Sequence, residues 1–302
     1  MTAIGAALPR VPHRELVTYG RELEALGFDE LWLVEDCFQY GGVSSAAAIL
    51  ASTERIGVGV GLFPVAVRNP AILAMELATI AELYPGRMTA GVGHGVEAWM
   101  RQIDARPANR LVALQELLIA VRRLLAGETV TLDGRWAHLD QVVLDQPPTV
   151  PPPLVVGTTG ERGIAIAAEH ADGLLLCEGS GVAAVRWAAE LLGQRSRLVV
   201  YSWMRIEDTS AQALAVLTPR AEGWEQAGSY PQLLALARSE PGYDGSLAPV
   251  VSLAGPAPAC AAGVRSLVEA GADAVVISPI GDDPLAQLQR FAAEALPLLA
   301  PA

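Results

Sequence analysis

The chain contains no lysine; all 21 of its basic residues are arginine. That absence removes the Schiff-base chemistry of lysine-dependent aldolases and pyridoxal phosphate enzymes, and the phosphate-binding lysine of P-loop NTPases. A GC-rich coding bias would leave the same gap alongside the plentiful Ala, Arg and Gly, and the exclusion holds either way. Cysteine is scarce: Cys37, Cys177 and Cys260 are widely spaced and form no CxxC pattern, so buried thiols are expected rather than a disulfide framework or a zinc site. No HExxH, GxSxG or dense Asp/His cluster occurs, so metallohydrolase and α/β-hydrolase readings lack support and no metal is expected. With a net charge of −12, no basic stripe serves a nucleic acid and no polybasic surface serves a membrane. No apolar run reaches spanning length, and the N-terminus lacks a basic segment followed by a long apolar one. A cytoplasmic protein is expected.

What is present is apolar: 52% of 302 residues are hydrophobic, enough to bury a large core within one domain over 1–302. An apolar strand at 3–7 precedes helical spacing over 12–26, which stops at Gly27, and a strand at 30–34. The cadence continues with helix 43–52, strand 56–62, helix 70–83, strand 88–92 and helix 109–126. Residues 129–144 alternate polar and apolar around Asp133-Gly134, the pattern of a β-hairpin. Strands at 154–156 and 174–176 flank a helix. After them come helix 182–192, strand 198–203, a mostly helical stretch over 208–238 interrupted at Pro219 and Gly228, and an irregular Pro-rich connection over 249–258. Helix 259–270, strand 274–278 and helix 284–299 complete the chain. Eight strands that read as nearly continuous apolar runs favour a (β/α)8 TIM barrel over an open doubly wound sheet. The barrel carries an inserted β-hairpin before strand five and extra helices near the C-terminal third.

In such a barrel the C-terminal strand ends form the functional rim. After strand two, Glu35 and Asp36 precede Phe38 and Tyr40, which reads either as an acid/base pair opening on a ring pocket or as carboxylates that cap the next helix. Strand three holds Gly57, Gly59 and Gly61, each costly unless a flat ring approaches or neighbouring elements pack closely. After strand four, Gly91-Val-Gly-His-Gly95 places His94 at a strand end. It is a candidate ligand or proton-transfer group, or a solvent-facing turn residue. Two Gly/Thr/Ser loops, 157–160 and 178–181, follow what read as adjacent parallel strands, where backbone N–H groups and helix N-termini suit a phosphate. The glycine spacing does not follow G-x-G-x-x-G, so NAD held in the Rossmann manner is disfavoured.

Three strings carry a family resemblance: GFDELWLVEDCF, then RIGVGVGLFPVAVRNPAILAMELATIAELYPGRMTAGVGHGVEAWM, then PPLVVGTTGERGIAIAAEHADGLLLCEGSG. Together they resemble the bacterial luciferase-like superfamily, and within it the deazaflavin-dependent oxidoreductase branch. The resemblance implies a ring of coenzyme F-420 across the strand ends, with FMN as the alternative. It implies a non-proline cis peptide at Val60-Gly61, and ring edges bordered by Gly93, His94 and Gly95. The coenzyme phosphate would rest on Gly157, Thr158, Thr159 and Gly160, with Glu178, Gly179 and Ser180 close by. Ser180 stands where some relatives carry lysine, so phosphate binding would depend on N–H groups, hydroxyls and Arg162.

Sugar-phosphate dehydrogenases of this family pair an acidic residue with a histidine after strand two and use a glutamate after the strand-four glycines. Here those positions read Glu35-Asp36 and Val96, so oxidation of glucose 6-phosphate by that mechanism is not expected. The expectation is hydride transfer between F-420 and a small organic molecule seated near Asp36, Phe38, His94 and Trp99, with Asp36 or His94 handling the proton. Two alternatives stand beside it: an FMN-dependent two-component monooxygenase and a non-catalytic homologue. A homodimer is implied by the resemblance alone.

Overall fold

The computed structural model describes residues 2–35, 38–193 and 196–300. Its strands are β1 (Ala3–Ala7), β2 (Glu30–Leu33), β3 (Gly57–Pro64), β4 (Met88–Gly93), β5 (Val130–Asp133), β6 (His138–Val142), β7 (Leu154–Gly157), β8 (Gly173–Leu176), β9 (Arg197–Ile206), β10 (Ser252–Gly255) and β11 (Ala274–Pro279). Parallel pairing runs β1-β2-β3-β4-β7-β8-β9-β11 and returns to β1, closing the expected barrel. Helices between the strands bury an apolar face against its outside, as in Leu73, Leu77 and Ile80 of Pro70–Leu83. Asn69 starts that helix by accepting the Ala71 N–H, and Pro70 occupies its first turn.

The barrel interior is filled by a separate cluster in which Trp32, Leu175, Val199, Tyr201 and Val276 meet. Trp32 and Tyr201 pack edge to face at 5.9 Å. The Trp32 indole donates to Glu30 Oε2 at 2.9 Å, and Arg197 bonds the other Glu30 oxygen at 2.5 Å, so the polar groups at the barrel's base satisfy one another. This packing accounts for the glycines of β3. A side chain at Gly59 would overlap the Trp32 ring, and one at Gly61 would strike Tyr201 Oη. The ring that Gly59 accommodates is the protein's own.

The inserted hairpin is β5–β6, an antiparallel pair. Its tip is pinned by Glu116 of helix Arg110–Leu125, whose carboxylate accepts the backbone N–H groups of Arg135, Trp136 and Ala137 at 2.8–2.9 Å. Although partial burial opposes ionisation, these three donors hold the Glu116 carboxyl below its ordinary range.

The structure corrects three features of the chain trace. Helix Ser210–Ala227 runs unbroken through Pro219. A capping box between Thr209 and Gln212 fixes its start, and buried Leu217 and Ala221 hold it on both sides of the proline. Gly228, in the left-handed conformation at φ 60°, does end it. Residues 249–258 are not merely irregular: β10 pairs in parallel with Trp203–Ile206, the C-terminal end of β9 past its pairing with β8. Helix Pro284–Glu294 gives way to a 3-10 turn, Leu296–Leu299, because the chain passes Pro297. Helix Glu97–Gln102, after β4, was not foreseen.

Candidate functional site

Register places the two most informative loops side by side. Gly93 of β4 pairs with Pro64 of β3 on one side and with Gly157 of β7 on the other, and Gly157 pairs in turn with Leu175 of β8. Residues 93–95 and 157–160 therefore leave the barrel as neighbours on one rim. Between them lies the Leu62 side chain, which a Cβ at either Gly93 or Gly157 would overlap. The cis peptide lies at Gly61-Leu62, one bond beyond the expected Val60-Gly61. It coincides with the register shift between Val60 and Phe63, where β3 gains extra length over β4.

The first phosphate-type loop is open. Gly160 precedes helix Glu161–His170, which has no side-chain cap, and no heavy atom beyond its chain neighbours lies within 4 Å of a Cβ built at Gly160. Thr158 and Thr159 are half-buried, and Arg162 stands in the first helical turn. Unsatisfied N–H groups at a helix start, flanked by hydroxyls and a guanidinium, form an oxyanion seat.

The second loop is closed by the protein itself. Ser180 is buried and donates to the Cys177 carbonyl at 2.8 Å. Glu178 accepts from Ser278 Oγ at 2.9 Å. Gly179, at φ 89°, lies against the Trp224 ring. The next helix, Val182–Leu192, is capped by Glu240, which takes the Ala183 N–H. Burial pushes the Cys177 thiol up to about 12, with the nearby Glu178 charge adding to the effect, so this cysteine is an inert thiol.

At the end of β2, Glu35 bonds Arg68 at 2.5 Å and accepts the Gly42 N–H at 2.6 Å, and Arg68 also bonds Glu76 at 2.8 Å. Glu35 is thus a helix-capping, ion-paired carboxylate. Asp36 and Cys37 lie outside the described residues. Phe38 is 71% exposed, with φ 74°. Trp99 is half-buried on helix Glu97–Gln102.

A cavity of about 670 Å³ opens beside β4, walled in part by His94, Glu97, Arg106, Arg110 and Arg162. Neither Phe38 nor Trp99 lines it. Burial, and next the Arg110 cation, hold the His94 imidazole below its ordinary pKa, which favours the neutral ring. A neutral half-buried imidazole at a cavity wall can accept a proton near neutrality. Arg162 of this wall was expected beside the phosphate loop, but Arg106 and Arg110 were not foreseen: they sit in the DARPANR run after β4, and their density in an acidic chain was the available signal. Tyr201 was also missed; its buried hydroxyl has no hydrogen-bond partner, lies beside Gly61, and is pushed well above its ordinary pKa by burial and by Glu178 and Glu30. Among the described residues no cluster of metal-ligating side chains occurs, and no helix is long and apolar enough to cross a membrane.

Comparison with known proteins adds the lineage. An F420-dependent glucose-6-phosphate dehydrogenase of Beutenbergia cavernae is 31% identical over 180 residues, covering 56% of this chain and 54% of that protein. A protein of the same name from Kineococcus radiotolerans is 26% identical over 317 residues, covering 95% and 93%. The chain thus spans about half the length of the first of these relatives and nearly all of the second. The solved structure of coenzyme F420 dependent tetrahydromethanopterin reductase from Methanopyrus kandleri shares the fold, with a TM-score of 0.82 at 17% identity over 99% of both chains. The sequence profile described as luciferase-like monooxygenase matches residues 2–274, and the chain belongs to that family.

Proposed function

We propose that this protein is a coenzyme F-420-dependent oxidoreductase acting on a small organic substrate. One observation carries the reading: the β4–β7 register puts the open oxyanion loop 157–160 on the same rim as the His94 cavity. Relatives named as F420-dependent enzymes support the choice of coenzyme. When bound, the deazaflavin supplies a hydride donor or acceptor at its ring and does not activate oxygen as a flavin does.

The residues present fit such a coenzyme. Gly157, Thr158, Thr159 and Gly160 would hold its phosphate through N–H groups and hydroxyls, with Arg162 as counter-charge. Glu178, Gly179 and Ser180 would wall that site through backbone, since their side-chain positions are already engaged. Val60, Gly61 and the 93–95 segment would border the ring. His94 holds or releases the proton that accompanies hydride transfer, at whichever imidazole nitrogen faces the cavity. The proposal retains Asp36 as a second proton-handling group and Phe38 and Trp99 as outer contacts to substrate.

The test is titration of the purified protein with each coenzyme, following quenching of cofactor fluorescence. Saturable F-420 binding with weaker FMN binding is expected. Tight FMN binding without F-420 binding would overturn the reading, and oxygen consumption with reduced FMN would then identify a monooxygenase.

A further inference from the structure

The chain between β4 and helix Arg110–Leu125 forms one side of the His94 cavity, through Glu97, Met100 and Ala105, opposite Val65 and Val112. This side is loosely attached. Helix Glu97–Gln102 buries a single residue, Met100, whose thioether lies against Gly95 beside Pro64 at the end of β3. Two other apolar side chains of the segment, Val96 and Ile103, are turned outward and exposed. The backbone bonds close on the segment itself: Met100 N–H donates to the Val96 carbonyl at 3.0 Å, and Ala105 N–H to the Met100 carbonyl at 2.9 Å.

Among the described residues, one polar contact ties residues 95–105 to the rest of the barrel: Arg110 donates to Glu97 Oε2 at 3.1 Å. Both side chains are about half exposed, at 56% and 46%, so water screens the pair and its contribution is small. The two ends of the segment are built alike. Gly95 has φ 68° and Asp104 has φ 55°, a left-handed conformation that is uncommon for a residue with a side chain. Rigid elements move about a few terminal residues that absorb a backbone change, and these two positions flank the helix. A helix held by one thioether and one exposed ion pair opens at far less cost than the barrel unfolds.

We propose that residues 95–104 form a lid over the His94 cavity, with Met100 as its catch, the Glu97–Arg110 pair as its latch, and Gly95 and Asp104 as its hinges. The structure holds the lid closed. Opening turns the helix outward, withdraws Met100 from Gly95 and Pro64, and clears a path to His94; closure shuts water out of the cavity. Trp99 rides on the same helix and moves with it. Naming the coenzyme as the molecule that passes rests on the F-420 reading above, whereas the lid rests on the attachment of the segment.

Hydrogen–deuterium exchange of the full chain without coenzyme, read by mass spectrometry on peptides covering 95–105 and 110–125, tests the lid. The lid amides are expected to exchange about 100-fold or more faster than those of helix Arg110–Leu125. Met100→Ala should speed the lid about tenfold further by removing its buried anchor, and Glu97→Gln about two- to fivefold, the worth of an exposed ion pair. Neither should change 110–125. Equal exchange in the two wild-type peptides overturns the proposal, as does Glu97→Gln, a change at an exposed position, that leaves lid exchange unaltered or speeds both peptides alike. Stopped-flow binding of F-420 then tests passage. In Met100→Ala, association and dissociation should both rise severalfold with Kd nearly unchanged, because a lid controls entry and exit together. Faster dissociation alone, with Kd weakened in proportion, makes Met100 a wall contact and overturns the gating role. Local exchange as expected in a protein that does not bind F-420 keeps the lid and removes the coenzyme reading.

Discussion

Glu240 Oε1 accepts the Ala183 N–H at 2.5 Å, so the N-terminus of helix Val182–Leu192 is occupied by the protein's own carboxylate. This contact distinguishes the two loops that look alike in sequence. Both begin helices after parallel strands, yet only 157–160 leaves its helix start uncapped. Glu240→Ala is expected to lower unfolding free energy by about 1 kcal/mol, the usual worth of a lost N-cap, and to leave F-420 affinity unchanged. Chemical denaturation and coenzyme titration of the same variant check both halves. A strong loss of coenzyme affinity would show that the second loop carries the phosphate.

Gly59 and Trp32 form a pair in which one residue exists to make room for the other. Gly59→Ala is expected to destabilise by roughly 1–3 kcal/mol, the range for overpacking a filled core. A smaller ring should relieve it. In Gly59→Ala/Trp32→Phe the combined loss should therefore be less than the sum of the single losses, a coupling measurable by a double-mutant cycle in urea. Strict additivity would mean that Gly59 serves the backbone rather than the indole.

This pair also shows where sequence reading reaches its limit. The barrel was legible because parallel strands buried on both faces appear as short apolar runs, as in Leu154–Gly157 and Ala274–Pro279. The glycines of β3 were legible as close approaches, but not which ring approaches, since Trp32 is supplied by the neighbouring strand. β10 was hidden because Ser252–Gly255 is short and small, and its pairing depends on how far β9 runs past its pairing with β8. The open loop and its closed twin have similar composition, and the Glu240 carboxylate that separates them lies 57 positions from Ala183. The cationic cavity is a tertiary feature too, assembled from segments that are not contiguous in the chain.

Arg68 links Glu35 and Glu76 while lying over the Phe63 ring at 5.1 Å. The pair with Glu35 is largely buried, with side-chain exposures of 17% and 11%. Removing one partner of such a pair strands the other charge, so Arg68→Met is expected to cost about 3 kcal/mol. Arg68→Lys should recover only part of that, because a single ammonium lacks the fork that serves two carboxylates and stacks on a ring. Thermal and urea unfolding of the two variants give the comparison, and equal stabilities would remove the bridging role.

His94 yields the pH prediction. Its folded-state pKa lies below the ordinary 6.5 because burial, and then Arg110, disfavour the imidazolium. The unfolded chain is thus the tighter proton binder, and this group's contribution to stability is fully present above pH 6.5 and lost as pH falls toward the lowered value. His94→Gln should flatten that part of the stability–pH profile. For activity, a proton-accepting His94 predicts an acid limb of kcat/KM below pH 6.5 that is absent in His94→Gln, with turnover reduced about 100-fold or more and F-420 affinity changed far less. The opposite split, with intact turnover and weakened coenzyme binding, would reduce His94 to a wall of the ring site. Arg110→Gln tests the cause, since removing the neighbouring cation should move the acid limb to higher pH without abolishing it.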